Sequence, residues 1–340
     1  MRVLIVGLGQ MGRAHALAHL KLGSQIIGLV NRSPLTLPPD LQPCPQFRSL
    51  DDALHLKPDL VVIATYADSH AALAIQAMQA DAHVFVEKPL ATSVADAELV
   101  AETARLTNRK LVVGYILRHH PSWTRLIAEA RALGGPYVFR MNLNQQSTGA
   151  EWRIHKALMR STSPLVDCGV HYVDVMCQIT DAAPLRVHGI GLRLTDEIAS
   201  DMYNYGQLQV TFADGSVGWY EAGWGPMMSE TAYFIKDIIS PNGSVSIVDP
   251  ARTASAAVDG HTSVSGILVH RPGGDHLITD TSDPGHQALC DLEQAFLLRA
   301  IAQDIDLTRA TRDAVDSLRV CLAADESIRT GQVVNLSQPA

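Results

Sequence analysis

Two short motifs carry residues whose types and spacing suit chemistry. VGLGQMG (6–12) sets Gly7, Gly9 and Gly12 in the pattern G-x-G-x-x-G, and EKP (87–89) sets Lys88 directly after an apolar run. The glycine pattern suits a pyrophosphate. Gly7 permits a tight turn, Gly9 leaves room for the backbone to approach the phosphates, and Gly12 lets a helix pack close to a strand. Gln10 and Met11 complete the loop and open that helix, whose first-turn amides and dipole would face the phosphates. Lys88 falls where the reactive ring of a dinucleotide would lie, so the two motifs together point to redox chemistry. A third segment, DCGVHYVD, sets Asp167 four residues before His171 and Asp174 three after it. On one helix each pair would share a face. Chance produces that spacing easily; by itself it reads as a helix-start aspartate and a partly buried histidine.

Positioning these residues requires alternating strands and helices. MRVLIVG has the β-branched content of a buried strand, and RAHALAHLKLG that of a helix. SQIIGLV, DLVVIAT, HVFVEKP and KLVVGY read as further strands, with helices from Ser69 to about Ala80 and from about Ser93 to Thr107. Such alternation implies a parallel, doubly wound α/β sheet with its ligand edge at the strand C-termini. Gly7, Asn31, Thr65, Glu87 and Gly114 all fall there. This first, dinucleotide-binding domain is expected over 1–120, and a second α/β domain over 121–340. In the second, PYVFRMNLNQ reads as a strand and DCGVHYVDVMCQI as a helix. PLRVHGIGLRL, YGQLQVTFADG, SVGWYEAGW, TAYFIKDIIS and GSVSIV then follow as strands without intervening helices. That succession predicts a mostly antiparallel sheet. Helices at roughly 285–303 and 309–330 finish the chain, and 253–266 is the most loop-like stretch.

Composition narrows the class. The 340 residues are 47% hydrophobic with net charge −8, which gives no electrostatic footprint for nucleic acid. Scattered charge offers no membrane-binding surface, and no apolar run approaches the roughly 20 residues of a membrane span. A strand beginning at residue 2 leaves no room for a signal peptide. The five cysteines show no C-x-x-C spacing. Reduced thiols in a cytoplasm are the expectation. No metal site is expected: His119 and His120 are adjacent, and His15 and His19 lack nearby carboxylates in the sequence.

Over nearly its whole length the chain resembles the glucose–fructose oxidoreductase / inositol dehydrogenase / MocA family. The matching residues are VGLGQMG, then Ile63, Ala64, Thr65 and His70, then EKPLA (87–91), GYILRHHP (114–121), Glu151-Trp152-Arg153 and DCGVHYVD (167–174). The resemblance implies a Rossmann domain plus an α/β domain with an open, largely antiparallel sheet. It also implies a nicotinamide cofactor working at a secondary hydroxyl or carbonyl of a sugar, an inositol-like polyol or a sugar derivative. By that similarity Lys88, Asp167 and His171 form the catalytic group. The chain departs from the family at Ser161-Thr162-Ser163-Pro164, at Tyr66 and at His119, and these changes bear on the substrate rather than the chemistry.

Hydride leaves an alcohol carbon only as the hydroxyl proton is removed, so a base must lie within hydrogen-bond reach. His171, of a residue type with a reference pKa of about 6.5, suits that role. Lys88 would stabilise the developing alkoxide or itself accept the proton. Asp167 would orient the histidine or bind a substrate hydroxyl, and Glu87 would align Lys88. Arg118, Trp152, Arg153 and Tyr172 are candidates for substrate contact, with packing or ion pairing as the alternative for each; His119, His155, Trp219 and Trp224 are weaker candidates. Cofactor contacts are expected from the glycine loop, Asn31, Arg32, Ser33, Thr65, Tyr66, His70, Glu87 and Lys88. Asn31 replaces the acidic residue that usually binds the ribose 2′-hydroxyl of NAD, and Arg32 can pair with a 2′-phosphate, so NADP is expected over NAD. A redox-assisted glycosidase that retains its cofactor and a non-catalytic sugar-sensing regulator are the other readings. Intact Lys88, Asp167 and His171 weigh against the regulator. Strands with apolar residues on both faces, as in QLQVTF, predict a homodimer or homotetramer.

Overall fold

The computed structural model describes residues 1–33, 36–229, 235–248, 262, 264–279, 281 and 283–336. The chain divides into two compact units, Met1–His119 with Pro284–Val315, and His120–Asp283 with Asp316–Ala340. These are not the two contiguous domains expected from the sequence.

In the first unit, β1 (Arg2–Val6), β2 (Gln25–Val30), β3 (Gln46–Phe47), β4 (Leu60–Ile63), β5 (His83–Val86) and β6 (Leu111–Val113) form a six-stranded sheet. Its order is β3-β2-β1-β4-β5-β6 and every pairing is parallel. Helices α1 (Gln10–Lys21), α2 (Leu50–Leu54), α3 (His70–Gln79) and α4 (Val94–Thr107) connect the strands. Strands such as LVVI are buried along their whole length, as a sheet covered on both faces requires. The strand order reverses between β1 and β4, which opens a crevice at their C-terminal ends.

Helix α9 (His286–Ala302) explains the interleaved division. Its Leu297 and Ala300, with Leu307 beyond it, belong to the same apolar core as Val3, Ile5, Leu29 and Val62. It packs on α1, whose Ala14, Ala16 and Ala18 are small enough to let it approach. Gln287 donates to the Ala14 carbonyl at 2.9 Å, and Lys21 pairs with Asp291 at 2.5 Å.

The second unit contains α5 (Pro121–Leu133), β7 (Val138–Gln146), α6 (Gly149–Leu158), α7 (Pro164–Asp167) and α8 (Gly169–Thr180). Strands β8 (Pro184–Leu192), β9 (Tyr205–Phe212), β10 (Val217–Gly225), β11 (Lys236–Ser240), β12 (Gly243–Val248), β13 (Gly266–Arg271), β14 (Gly274–Ile278) and β15 (Val334–Asn335) follow. With β7 they form a nine-stranded sheet of order β14-β13-β12-β11-β7-β10-β9-β8-β15. Among the described residues its pairings are antiparallel except β7 with β10. Helices α5, α7 and α8 pack on one face, over buried Phe139, Met141, Tyr220 and Ala222. Helix α10 (Thr308–Thr330) begins in residues of the first unit and ends in residues of the second.

Two sequence expectations need adjustment, and two others fall partly outside the described residues. DCGVHYVDVMCQI is not one helix: α7 ends at Asp167 and α8 begins at Gly169. The N-terminal half of TAYFIKDIIS and most of 253–266 lie outside the described residues. Strands β13 and β14, on either side of a Pro272-Gly273 turn, were not anticipated. No helix among the described residues is long and apolar enough to cross a membrane.

Candidate active site

The glycine loop has the shape a dinucleotide needs. Gly7 has φ of +87°, and a Cβ there would lie 2.4 Å from the Ala64 carbonyl oxygen. A Cβ on Gly12 would lie 1.9 Å from the Gly7 carbonyl oxygen, whereas one on Gly9 would meet nothing within 4 Å. The loop is therefore closed on its protein side and open on its outer side, where Gly9 and Gln10 are exposed, with Met11 half-buried. No acidic residue occupies the first turn of α1, so the amides and dipole there favour an anion. The Leu8 amide donates to Asn31 Oδ1 at 3.3 Å, and Asn31 Nδ2 donates to the Ser33 carbonyl at 2.7 Å. Arg32 and Ser33 are exposed beside it, and Arg48 donates to the Arg32 carbonyl at 2.8 Å. Across the crevice Tyr66 is 61% exposed and Thr65 Oγ1 lies 2.7 Å from Ser69 Oγ. This donor set fits a nicotinamide dinucleotide: the loop would hold the pyrophosphate, and Asn31, Arg32 and Ser33 would lie beside the adenosine ribose.

The EKP segment follows β5. Glu87 is buried, and its Oε1 accepts from His15 Nε2 at 2.7 Å. Its Oε2 accepts the Lys88 backbone N–H at 3.2 Å. A Cβ on Gly114 would lie 3.0 Å from that oxygen, so glycine clears the space for the carboxylate. Burial pushes the Glu87 carboxyl up, but the hydrogen bond from His15 and the charge of Lys88 outweigh it and bring it below its ordinary value. Lys88 is half-buried. His70 ties the two strand ends together, Nδ1 lying 2.7 Å from the Pro89 carbonyl and Nε2 3.1 Å from that of Thr65. Burial lowers its pKa.

Arg118 and His119 are engaged within the same unit. Arg118 pairs at 3.1 Å with Asp313, a carboxylate whose side chain is only 2% exposed. This is the ion-pairing alternative for Arg118, and it neutralises a buried charge. His119 lies 4.8 Å from the Phe296 ring, and burial with Arg118 and Arg299 nearby lowers its pKa to about 3.

In the second unit, Ser163 caps α7, accepting the Val166 amide at 3.1 Å while donating to Asp325 at 2.8 Å. The cap fixes the short helix that ends in Asp167. Gly169 opens α8 because a Cβ there would lie 3.1 Å from the Tyr220 ring and 3.3 Å from Cys321 Sγ. Asp167 is half-buried and His171, on the first turn of α8, is 8% exposed. Asp174 accepts from Gln178 at 3.0 Å.

The expected pocket walls fare unevenly. Tyr172 is fully buried, stacked on Tyr220 at 4.9 Å with Lys236 Nζ 4.7 Å from its ring centroid. It is a core residue, which corrects its assignment to the substrate. Trp152 is buried on α6, its indole N–H 3.3 Å from Glu197, whereas Arg153 is exposed on the same helix. His155 stacks on Trp224 at 4.3 Å, and Trp224 donates to Gln145 at 2.7 Å. Trp219 is half-buried on β10.

Sequence reading missed His15, Arg48, Gln294 and Lys236. His15 carried a signal, standing three residues after Gly12 at the start of α1. Gln294 carried none, because it reaches His15 from a segment expected in the other domain.

Fold and glycine loop together define a dinucleotide-binding oxidoreductase scaffold. Residues 1–115 match the model of the oxidoreductase family with NAD-binding Rossmann fold, GFO_IDH_MocA, and residues 124–234 match the GFO/IDH/MocA C-terminal domain. The chain belongs to this oxidoreductase family. It is similar to scyllo-inositol 2-dehydrogenase (NAD(+)) of Bacillus subtilis, 26% identical over 290 residues covering 82% of this chain and 78% of that protein. It is similar to UDP-N-acetylglucosamine 3-dehydrogenase of Acidithiobacillus ferrooxidans, 28% identical over 197 residues covering 56% of this chain and 58% of that protein. The solved structure of the latter enzyme matches with a TM-score of 0.79 at 20% identity, covering 97% of this chain and 98% of that one, a likeness of fold.

Proposed function

We propose that this protein is a nicotinamide-dependent dehydrogenase or reductase acting at a secondary hydroxyl or carbonyl of a sugar, an inositol-like polyol or a sugar derivative. The observation that carries the reading is Lys88, which follows a strand end of the dinucleotide sheet and whose backbone is held by a buried carboxylate. Relatives named for inositol and UDP-N-acetylglucosamine substrates support the substrate class.

The nicotinamide cofactor supplies the hydride acceptor in oxidation and the donor in reduction. The chain's own residues manage the proton and the charge. His171 takes the hydroxyl proton as the carbon–oxygen bond becomes a carbonyl, and returns it in the reverse direction. Lys88 stabilises negative charge on that oxygen. Asp167 binds a neighbouring hydroxyl or orients His171, and exposed Arg153 is a candidate contact for polar substrate groups.

NADP is the proposed cofactor in preference to NAD. Asn31 brings no charge to repel a 2′-phosphate, and exposed Arg32 after β2 and Arg48 after β3 bring two cations to this edge of the sheet. Five free cysteines support a reducing, cytoplasmic location. A panel of sugars, inositols and sugar acids, followed by nicotinamide absorbance with both cofactors, tests the reading. Turnover of glycosides with no net reduction would favour a redox-assisted glycosidase instead.

A further inference from the structure

A buried hydrogen-bonded chain in the first unit ends at Glu87. Ser24 Oγ lies 3.3 Å from His19 Nδ1, and His19 Nε2 lies 2.9 Å from Gln294 Oε1. Gln294 Nε2 lies 3.0 Å from His15 Nδ1, and His15 Nε2 lies 2.7 Å from Glu87 Oε1. His15, His19 and Gln294 are each 0% exposed.

These contacts have one direction. An amide nitrogen only donates and an amide oxygen only accepts. Gln294 therefore donates to His15 Nδ1, which leaves the His15 proton on Nε2, aimed at Glu87. The same amide accepts from His19 Nε2–H, and His19 Nδ1 then accepts from Ser24. Every donor in the series points toward the Glu87 carboxylate, and bonds aligned this way polarise one another.

We propose that His15 is a positioning residue for Lys88: held in its Nε2–H tautomer by Gln294, it fixes Glu87 in the ionised form that grips the Lys88 backbone. This rests on the reading of Lys88 as a catalytic group. Burial disfavours a charged Glu87, and the groups opposing that are His15 from α1, His70 from α3 and Lys88 itself. Among these His15 makes a direct side-chain hydrogen bond to the carboxylate, at 2.7 Å. Residues 284–315 thus act on Lys88 through Gln294, without touching substrate.

The test compares the wild-type protein with His15→Leu, which removes the donor, and His15→Gln, whose amide N–H takes the place of Nε2–H. Infrared difference spectra across a pH titration read the Glu87 carboxyl band, assigned by its loss in Glu87→Gln. Removing a hydrogen bond to a buried charge should raise the pH at which Glu87 protonates by about one to two units in His15→Leu, with His15→Gln close to wild type. On the acid side, where His171 protonation already lowers kcat, a further drop should appear in His15→Leu as Glu87 protonates, while KM changes little. An unmoved carboxyl band in His15→Leu overturns the relay whatever happens to turnover. A band that moves without that further drop in kcat overturns the positioning of Lys88.

Lys88 acylation, read by mass spectrometry at a pH where only the variant's Glu87 is protonated, separates the proposal from the assigned activity. It should rise in His15→Leu and not in His15→Gln, because loss of the carboxylate charge disfavours the ammonium. Equal rates overturn the proposal. The expected rates in a protein that turns over no sugar or polyol would uphold the relay and reject the proposed function alone.

Discussion

Single residues set the chemistry and part of the pH response. Lys88→Ala should lower kcat by ~10²–10³ with cofactor Kd nearly unchanged, since it removes a partner of the transition-state charge. His171→Ala should cost roughly 10²–10⁴ through lost proton transfer. Steady-state kinetics with the true substrate checks both, and near-normal turnover in either variant would void that residue's role. Arg32→Ala should weaken NADP by about ten- to a hundredfold and leave NAD nearly unchanged, as loss of a charge-assisted bond worth roughly 1.5–3 kcal/mol predicts. Native catalytic efficiency with NAD equal to or above that with NADP would reject the cofactor preference. His19 governs stability rather than catalysis. Burial, opposed by its Gln294 bond, lowers its pKa from 6.5 to about 4. A neutral, buried histidine contributes stability that is fully present above the unfolded value and is lost as pH falls from 6.5 toward 4. The loss is about 3 kcal/mol at the low end. Urea unfolding at successive pH values should show it, and His19→Gln should flatten that part of the curve. Identical slopes would exclude this source.

At the scale of elements, close approach decides what a sequence can announce. Gly12→Ala would place a Cβ 1.9 Å from the Gly7 carbonyl oxygen and force α1 away from the loop. Cofactor affinity should fall at least tenfold, whereas Gly9→Ala, with open space around it, should be milder in the absence of cofactor; calorimetric titration and thermal unfolding of the two variants check this. The glycine pattern was legible because its constraint is local: a strand, a tight turn and a helix in sequence. The parallel sheet was legible for the same reason, through apolar strands alternating with helices. The break between α7 and α8 was not. Asp167 and His171 have helical spacing, but Gly169 lies against Tyr220 and Cys321, and the chain restarts its helix there. That contact joins residues far apart in sequence. The same reason hid Tyr172, which sits beside His171 in sequence while its ring packs against Tyr220 and Lys236. The partner of Arg118 was not legible because Asp313 lies 195 residues away.

At the scale of the whole chain, the sheet of the second unit predicts assembly. Helices α5, α7 and α8 cover one face, while β7 and β10 present Val138, Arg140, Val217 and Trp219 on alternate positions of the other. Val138 and Val217 are direct partners in the register, 38% and 41% exposed, and Trp219 pairs with Arg140 beside them. On β9, Gln209 and Thr211 continue this face opposite Trp219 and Val217. A broad surface of aliphatic, aromatic and hydrogen-bonding residues, with little net charge, resembles the centre of a subunit interface more than ordinary solvent-facing sheet. Strands that meet a second copy through a two-fold axis would place Trp219 near its own counterpart and bury about 800 Å² per subunit in a standard interface. Light scattering at micromolar concentration should therefore report a dimer or tetramer. Val217→Glu combined with Trp219→Glu should shift it toward monomer, because assembly would then have to desolvate two added carboxylates per subunit. The first unit's glycine loop is untouched by these changes, so cofactor binding should persist in the monomer. A wild-type protein that remains monomeric, or a double variant that keeps its assembly state, would remove this face as the interface.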